Sequence, residues 1–180
     1  RLLWPELPSS RVDSQAYLSV RGWVVAVFAL LWLQIALGAW VSTNYAVLAC
    51  QDFPQCQSSW WPVMDFAAGF ELWRPLGMDG QGQPIVFEAL TAIHYTHRLV
   101  AYVVLVALVA LAWRLRATPE TRTAALWLMG CAVWQLLTGV SNVVLDWPLA
   151  AALSHTAGAA VLVIVLTGLL VRAFSERYSS

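Results

Sequence analysis

Four stretches of this chain run almost without a polar position for about the 20 residues that a helix needs to cross a bilayer. The first extends from Gly22 to Val41 and is interrupted only by Gln34. The second, Ala89 to Trp113, carries His94, His97 and Arg98 in its first half. The third runs from Thr123 to Leu145, and the fourth from Leu149 to Phe174 with His155 near its start. The pattern predicts an all-α integral membrane protein, a bundle of four transmembrane helices. Residues 1–21 are then an N-terminal segment, 22–174 the membrane domain, 45–88 a long loop between the first two helices, and 175–180 a tail.

The first and third stretches echo one another. Gln34-Ile-Ala-Leu-Gly38 matches Gln135-Leu-Leu-Thr-Gly139, and each leads into Val-Ser and an asparagine, as Val41-Ser42-Thr43-Asn44 and Val140-Ser141-Asn142. In both halves the following helix opens with histidine. This reads as a two-helix repeat whose first copy has gained the long loop, a device membrane proteins use often.

Composition agrees with the spans. Of 180 residues, 60% are hydrophobic and 11% charged, against about a quarter charged in ordinary soluble domains. The mean hydropathy is +0.67. Eleven tryptophans suit a protein with two membrane interfaces. Zero net charge argues against nucleic acid or another polyanion as partner. The chain opens at Arg1, with no initiator methionine and no signal-peptide pattern, as expected of a fragment, a processed product or a chain seen only in part.

Arginine placement predicts orientation. Arg1, Arg11 and Arg21 precede the first span, Arg114, Arg116 and Arg122 surround the second link, and Arg172 and Arg177 follow the fourth span. The Tyr45–Glu88 segment has only Arg74, beside Asp52, Asp65, Glu71, Asp79 and Glu88. By the positive-inside rule both termini are cytoplasmic, and the long loop and the Asp146–Pro148 turn face outward.

Ionisable groups inside a bilayer are costly and usually face the bundle interior for a functional reason. His94 and His97 are three residues apart and share a helix face. Counted from the outer ends at 1.5 Å per residue, His97 lies about 12 Å deep and His155 about 9 Å. One imidazole from each helix at matching depth is what a six-coordinate heme iron requires, the porphyrin supplying its other four ligands. Ala101 and the Ala157-Gly158-Ala159-Ala160 run leave room for a flat macrocycle. Arg98 is placed to pair with a propionate carboxylate, and His94, a turn nearer the surface than His97, to donate to one. The plainer alternative is that small residues allow close helix packing and the histidines make interhelical hydrogen bonds. Zinc fits less well, since no Asp or Glu lies within a span to complete its three or four ligands.

Cys50 and Cys56 follow the first span directly, on the predicted outer side where disulfides persist. A structural bridge is the leading expectation, and a redox-active pair the sharper alternative. Cys131, alone in the third span, reads as a small core residue. Trp60, Trp61, Pro62, Phe66, Phe70 and Trp73 suggest a loop lying along the membrane interface over the heme edge. Gly77–Pro84 reads as an exposed, flexible stretch.

Several of these segments together resemble a known family. Gly38-Ala-Trp-Val-Ser-Thr-Asn44, Cys50-Gln-Asp-Phe-Pro-Gln-Cys56, Trp60-Trp-Pro-Val-Met-Asp65, Ala92-Ile-His-Tyr-Thr-His-Arg98 and Ser154-His-Thr-Ala-Gly158 are similar to the C-terminal half of proteobacterial heme A synthases, over nearly the whole chain beyond Arg21. Members of that family have eight transmembrane helices in two homologous halves and oxidise the C8 methyl of heme O to the formyl of heme A. The resemblance implies a heme b cofactor in this half, with His97 of the His-Arg step and His155 as axial ligands. It also implies a loop disulfide, a bacterial inner-membrane location, and heme O and heme A as substrate and product. Partners would be a chain supplying the N-terminal half, heme O synthase, or cytochrome oxidase assembly proteins. The Glu-x-x-His-Arg motif of the substrate half does not occur, and His94 stands where its carboxylate would be. Three readings follow: the cofactor half of a heme A synthase, a stand-alone b-type cytochrome that transfers electrons without modifying heme, or a structural membrane subunit.

Overall fold

A computed structural model describes residues 11–174, with side chains from Tyr17 onward. Residues 1–10 and the 175–180 tail, with Arg1 and Arg177, lie outside the described residues. Four long helices dominate: α1 (Arg11–Thr43), α3 (Phe87–Leu115), α4 (Pro119–Val144) and α5 (Leu149–Phe174). A single 3-10 turn (Ala46–Leu48) and the four-residue α2 (Phe66–Gly69) lie in the connection between α1 and α3. Each long helix contains a stretch apolar and long enough to cross a membrane, so the all-α four-span expectation holds.

The helix ends follow local chemistry more than hydropathy. α1 begins at Arg11, well before the apolar run at Gly22. Residues 11–21 contain no proline or glycine, so the backbone stays helical through polar sequence; hydropathy marks where lipid starts, not where the helix does. α4 starts at Pro119, four residues ahead of Thr123, because proline's fixed φ and missing N–H suit the first helical position, and Glu120 opposes the positive end of the helix. α4 stops at a left-handed cap: Asp146 has φ 54° and the Trp147 N–H returns to the Asn142 carbonyl at 3.0 Å, an arrangement that satisfies a terminal acceptor.

The described residues divide into two compact units, 11–32, 104–135 and 156–174 forming the first, and 33–103 and 136–155 the second. In the first unit, each long helix buries residues at the same spacing. The series are Val20, Val24, Val27 and Leu31 on α1; Val104, Leu108, Leu111 and Leu115 on α3; Thr121, Ala125, Leu128 and Ala132 on α4; and Leu162, Leu166, Leu169 and Ala173 on α5. Steps of four, three and four residues make a narrow seam like that of a coiled coil. The remaining positions are apolar and not buried within the unit, as Leu126 and Ile164 illustrate, which suits a lipid surrounding. Guanidinium groups of this unit stack on aromatic rings: Arg114 over Trp23 at 4.4 Å, Arg21 over Phe174 at 5.0 Å and Arg172 over Tyr17 at 5.8 Å. Such pairs keep a cation beside apolar surface at low cost.

In the second unit the α1–α3 connection is held as part of the fold. Val41, Ala46, Ile85, Ala89 and Ile93 form an apolar cluster with Trp40, Val47, Ala68 and Leu90 against it. Asp65 caps α2 by accepting from the Ala68 N–H, and its own N–H donates to the Glu88 carbonyl at 3.0 Å. Trp40 Nε1 donates to the Gly69 carbonyl at 2.9 Å. A side chain at Gly69 would meet the Ala89 carbonyl at 3.0 Å, so glycine there permits the close approach of α2 to α3. The Gly77–Pro84 stretch is exposed as expected, but Asp79 gives it a defined turn. Its carboxylate accepts the Gln81 and Gln83 N–H groups, each at 2.8 Å.

The seam separates two kinds of apolar position. Leu128→Ala should destabilise the folded chain by about 2 kcal/mol, at the low end for buried leucine, because only packing is lost where lipid is as apolar as the core. Leu126→Ala, on a lipid-facing position, should leave stability within about 0.5 kcal/mol. Unfolding in mixed micelles of increasing denaturing detergent measures both.

Candidate functional site

All three histidines belong to the second unit, and the structure gives each a different polar partner. His94 is buried, and its Nδ1 lies 3.0 Å from the Ala46 carbonyl oxygen. A carbonyl only accepts, so Nδ1 carries the proton and Nε2 keeps its lone pair. His97 faces Gln34 of α1. The Gln34 amide nitrogen donates to the His97 carbonyl at 3.1 Å and lies 3.0 Å from Nδ1 of the ring. His155 meets Thr138 of α4, with 2.9 Å between Nδ1 and Oγ1.

The two deeper rings rest on glycines in the same way. A Cβ at Gly38 would stand 3.1 Å from His97 Cε1, and one at Gly139 would stand 3.3 Å from His155 Cε1. The glycines that ended the echoed Gln34-to-Gly38 and Gln135-to-Gly139 segments are thus the surfaces against which the imidazoles lie. Each ring is set by the helix preceding its own: α1 for His97 and α4 for His155. Buried oxygens nearby are unpaired: Gln34 Oε1 and Asn142 Oδ1 have no hydrogen-bond donor.

Arg98 turns towards the Cys50–Cys56 loop. It is buried, and its Nη1 donates to the carbonyls of Gln55 at 2.7 Å and Asp52 at 3.1 Å, with Pro54 at 3.5 Å; Nη2 reaches Cys50 at 3.4 Å. Burying a guanidinium is tolerable only when its donors find acceptors, and the loop backbone supplies them. Cys50 and Cys56 are bonded, with Cα atoms 4.8 Å apart, and both are fully buried against Tyr95 and Met64. Tyr95 also donates its hydroxyl to the Trp60 carbonyl. A disulfide this enclosed is shielded from thiol attack, which favours the structural reading of the pair. Cys131 is free and buried.

Asp52 organises the same loop. Its carboxylate accepts the N–H groups of Gln57 and Ser58, each at 2.7 Å, where both residues have positive φ. Slight burial raises its pKa, but the Ser58 and Gln57 N–H groups and the Arg98 charge outweigh that and hold the carboxyl below its ordinary value. Among the described residues no three His, Cys, Asp or Glu side chains cluster to hold a metal ion. A heme iron asks only two axial ligands of the protein.

Comparison with known proteins decides the family. The Cytochrome oxidase assembly protein family matches residues 2–167. The Heme A synthase of Shewanella oneidensis is 35% identical over 143 residues, covering 79% of this chain and 43% of that protein. This chain belongs to the heme A synthase family. The Heme A synthase of Caulobacter vibrioides is 30% identical over 174 residues, or 92% of this chain and 47% of its own length. That of Halalkalibacterium halodurans is 30% identical over 139 residues, or 75% and 39%. The chain therefore spans less than half the length of these relatives. No solved structure matches it.

For this family member, sequence reasoning singled out His94, His97, His155, Arg98 and the cysteine pair, but gave no role to Gln34, Thr138 or Asp52. The repeated Gln-x-x-x-Gly spacing was the available signal for Gln34, one turn from Gly38; Thr138 is not the glutamine of the second copy and had no such signal. Asp52 had none beyond its position between the cysteines.

The Asp52 cap has a pH signature. Because its folded pKa is lowered, the stability it contributes is complete above about pH 4 and is lost as pH falls through the folded value. The disulfide of the unaltered chain should be reduced by a phosphine several-fold more slowly than that of Asp52→Asn at pH 5 to 7. The two rates should converge in stronger acid. A constant ratio across the range would assign the difference to something other than this carboxylate.

Proposed function

We propose that this chain is the cofactor-bearing half of a heme A synthase, with His97 and His155 as axial ligands of one heme b. The observation that carries this reading is the matched pair of glycine contacts. Two imidazoles on α3 and α5, each laid against the backbone of the preceding long helix, repeat one arrangement twice around a common region of the second unit. Ala101 keeps a flanking position small. Membership in the heme A synthase family makes heme the expected occupant.

When bound, the heme would pass electrons one at a time, and the oxidation of the heme O C8 methyl to the formyl of heme A releases several. The chain's own residues would hold and tune that relay. His97 and His155 fix the macrocycle; Gly38 and Gly139 admit the rings; Gln34 and Thr138 set ring orientation. The remaining Arg98 donors would serve the propionate edge, with His94 beside it, under the loop that Arg98 already grips. The substrate heme would be held by an N-terminal half, in the same or another chain, and heme O synthase or cytochrome oxidase assembly proteins are fitting neighbours.

The arginine distribution further supports a bacterial inner-membrane protein with both termini and the Arg114–Arg122 link cytoplasmic and the 45–88 loop outside. Trp60, Trp61 and Trp73, all exposed, would then lie at the outer interface.

His97→Ala or His155→Ala should abolish the low-spin bis-histidine spectrum of heme b, whereas His94→Ala should retain it with an altered potential. Spectra of the purified chain and its variants measure this. An unchanged spectrum in all three variants would remove the heme from this chain. Heme extracted from cells with and without the chain adds the activity: heme A that depends on the chain supports the synthase reading. A bis-histidine spectrum without such dependence points to a b-type cytochrome.

A further inference from the structure

Gln34 interrupts an otherwise apolar helix, and its carboxamide is half satisfied. The nitrogen donates to the His97 carbonyl at 3.1 Å and faces the ring, 3.0 Å from Nδ1 and 3.3 Å from Nε2. The oxygen is buried and has no donor. An amide nitrogen only donates, so as it stands the carboxamide offers the ring no acceptor. The tautomer in which Nε2 is free to bind a metal carries its proton on Nδ1 and needs one. His94 already has the metal-ready tautomer, set by the Ala46 carbonyl. His155 meets a hydroxyl that can donate or accept.

Both mismatches are removed by one movement. The terminal torsion of a glutamine is broad and roughly two-fold, so rotation of the carboxamide brings Oε1 to Nδ1 in place of the nitrogen. The bond given up goes to a main-chain carbonyl within a helix, which has a helical N–H as its regular donor. The orphaned oxygen then gains a donor in Nδ1–H, and the Nε2 lone pair is left free.

We infer that Gln34 is the positioning residue of His97, its carboxamide turning from donor to acceptor when the imidazole takes iron. The inference rests on the reading of His97 as an axial ligand. A hydrogen bond accepted from Nδ1–H raises ligand basicity and orients the ring; a more basic axial ligand favours ferric iron and lowers the reduction potential.

The test is a redox titration of the full chain in detergent, loaded with heme b and followed by its optical spectrum. Gln34→Leu, which cannot accept, should raise the midpoint potential, and Gln34→Glu, a permanent acceptor, should lower it. The expected size is about tenfold in the ferric-to-ferrous equilibrium, or about 59 mV for one electron. A helix-packing role alone would not give shifts of opposite sign. Loss of heme from Gln34→Leu with a lowered potential in Gln34→Glu also supports the inference. If His97→Ala abolishes the bis-histidine spectrum while both Gln34 variants keep the parent potential, the inference fails and the ligand assignment stands. If His97→Ala leaves the spectrum unchanged, the ligand assignment fails first.

Discussion

Lipid chains offer no hydrogen bonds, so a polar group carried into the bilayer must find its partner within the protein. Much of the second unit follows from that constraint acting on one side chain. Arg98 is buried in α3, and the acceptors that make its burial tolerable are the main-chain carbonyls of residues 50–55. The segment after α1 therefore folds down onto α3, and the disulfide and the Asp52 turn keep it in the shape that presents those carbonyls. His94, one turn away, fastens the same connection at Ala46. What reads in sequence as a long loop is, in energetic terms, the solvation shell of a buried cation.

The same constraint acts on the two deeper histidines with another outcome. Their partners, Gln34 and Thr138, come from the helices that precede them, so each ring is oriented by a helix–helix contact rather than by the loop. Gly38 and Gly139 permit that contact. The two sites share the glycine contact, with Gln34 meeting His97 and Thr138 meeting His155.

Much of this was legible in the sequence. The four spans are set by hydropathy, and the α5 bounds coincide with the apolar run because Pro148 precedes it. The cysteine pair was readable from its spacing and side. The early starts of α1 and α4 were not readable from apolar content, because helices continue through polar sequence until backbone chemistry stops them. The partners of Arg98 were illegible for a different reason. They are main-chain carbonyls, whose positions depend on the fold of the loop and carry no residue-type signature. Gln34 was visible as an interruption and as part of the repeat. Its facing His97 depends on the rotational setting of α1 against α3, which periodicity alone does not specify.

The narrow seam of the first unit carries a consequence for how such a protein diverges. With burial confined to about two positions in seven, the rest of each helix answers only to lipid, which accepts any apolar side chain of any shape. Most of the span can therefore be rewritten among leucine, valine, alanine and tryptophan with little effect on the fold. Relatives near 30–35% identity are what that freedom allows. What that freedom leaves constrained are the steps of the seam, the two glycines, and the polar groups that would otherwise be stranded in oil.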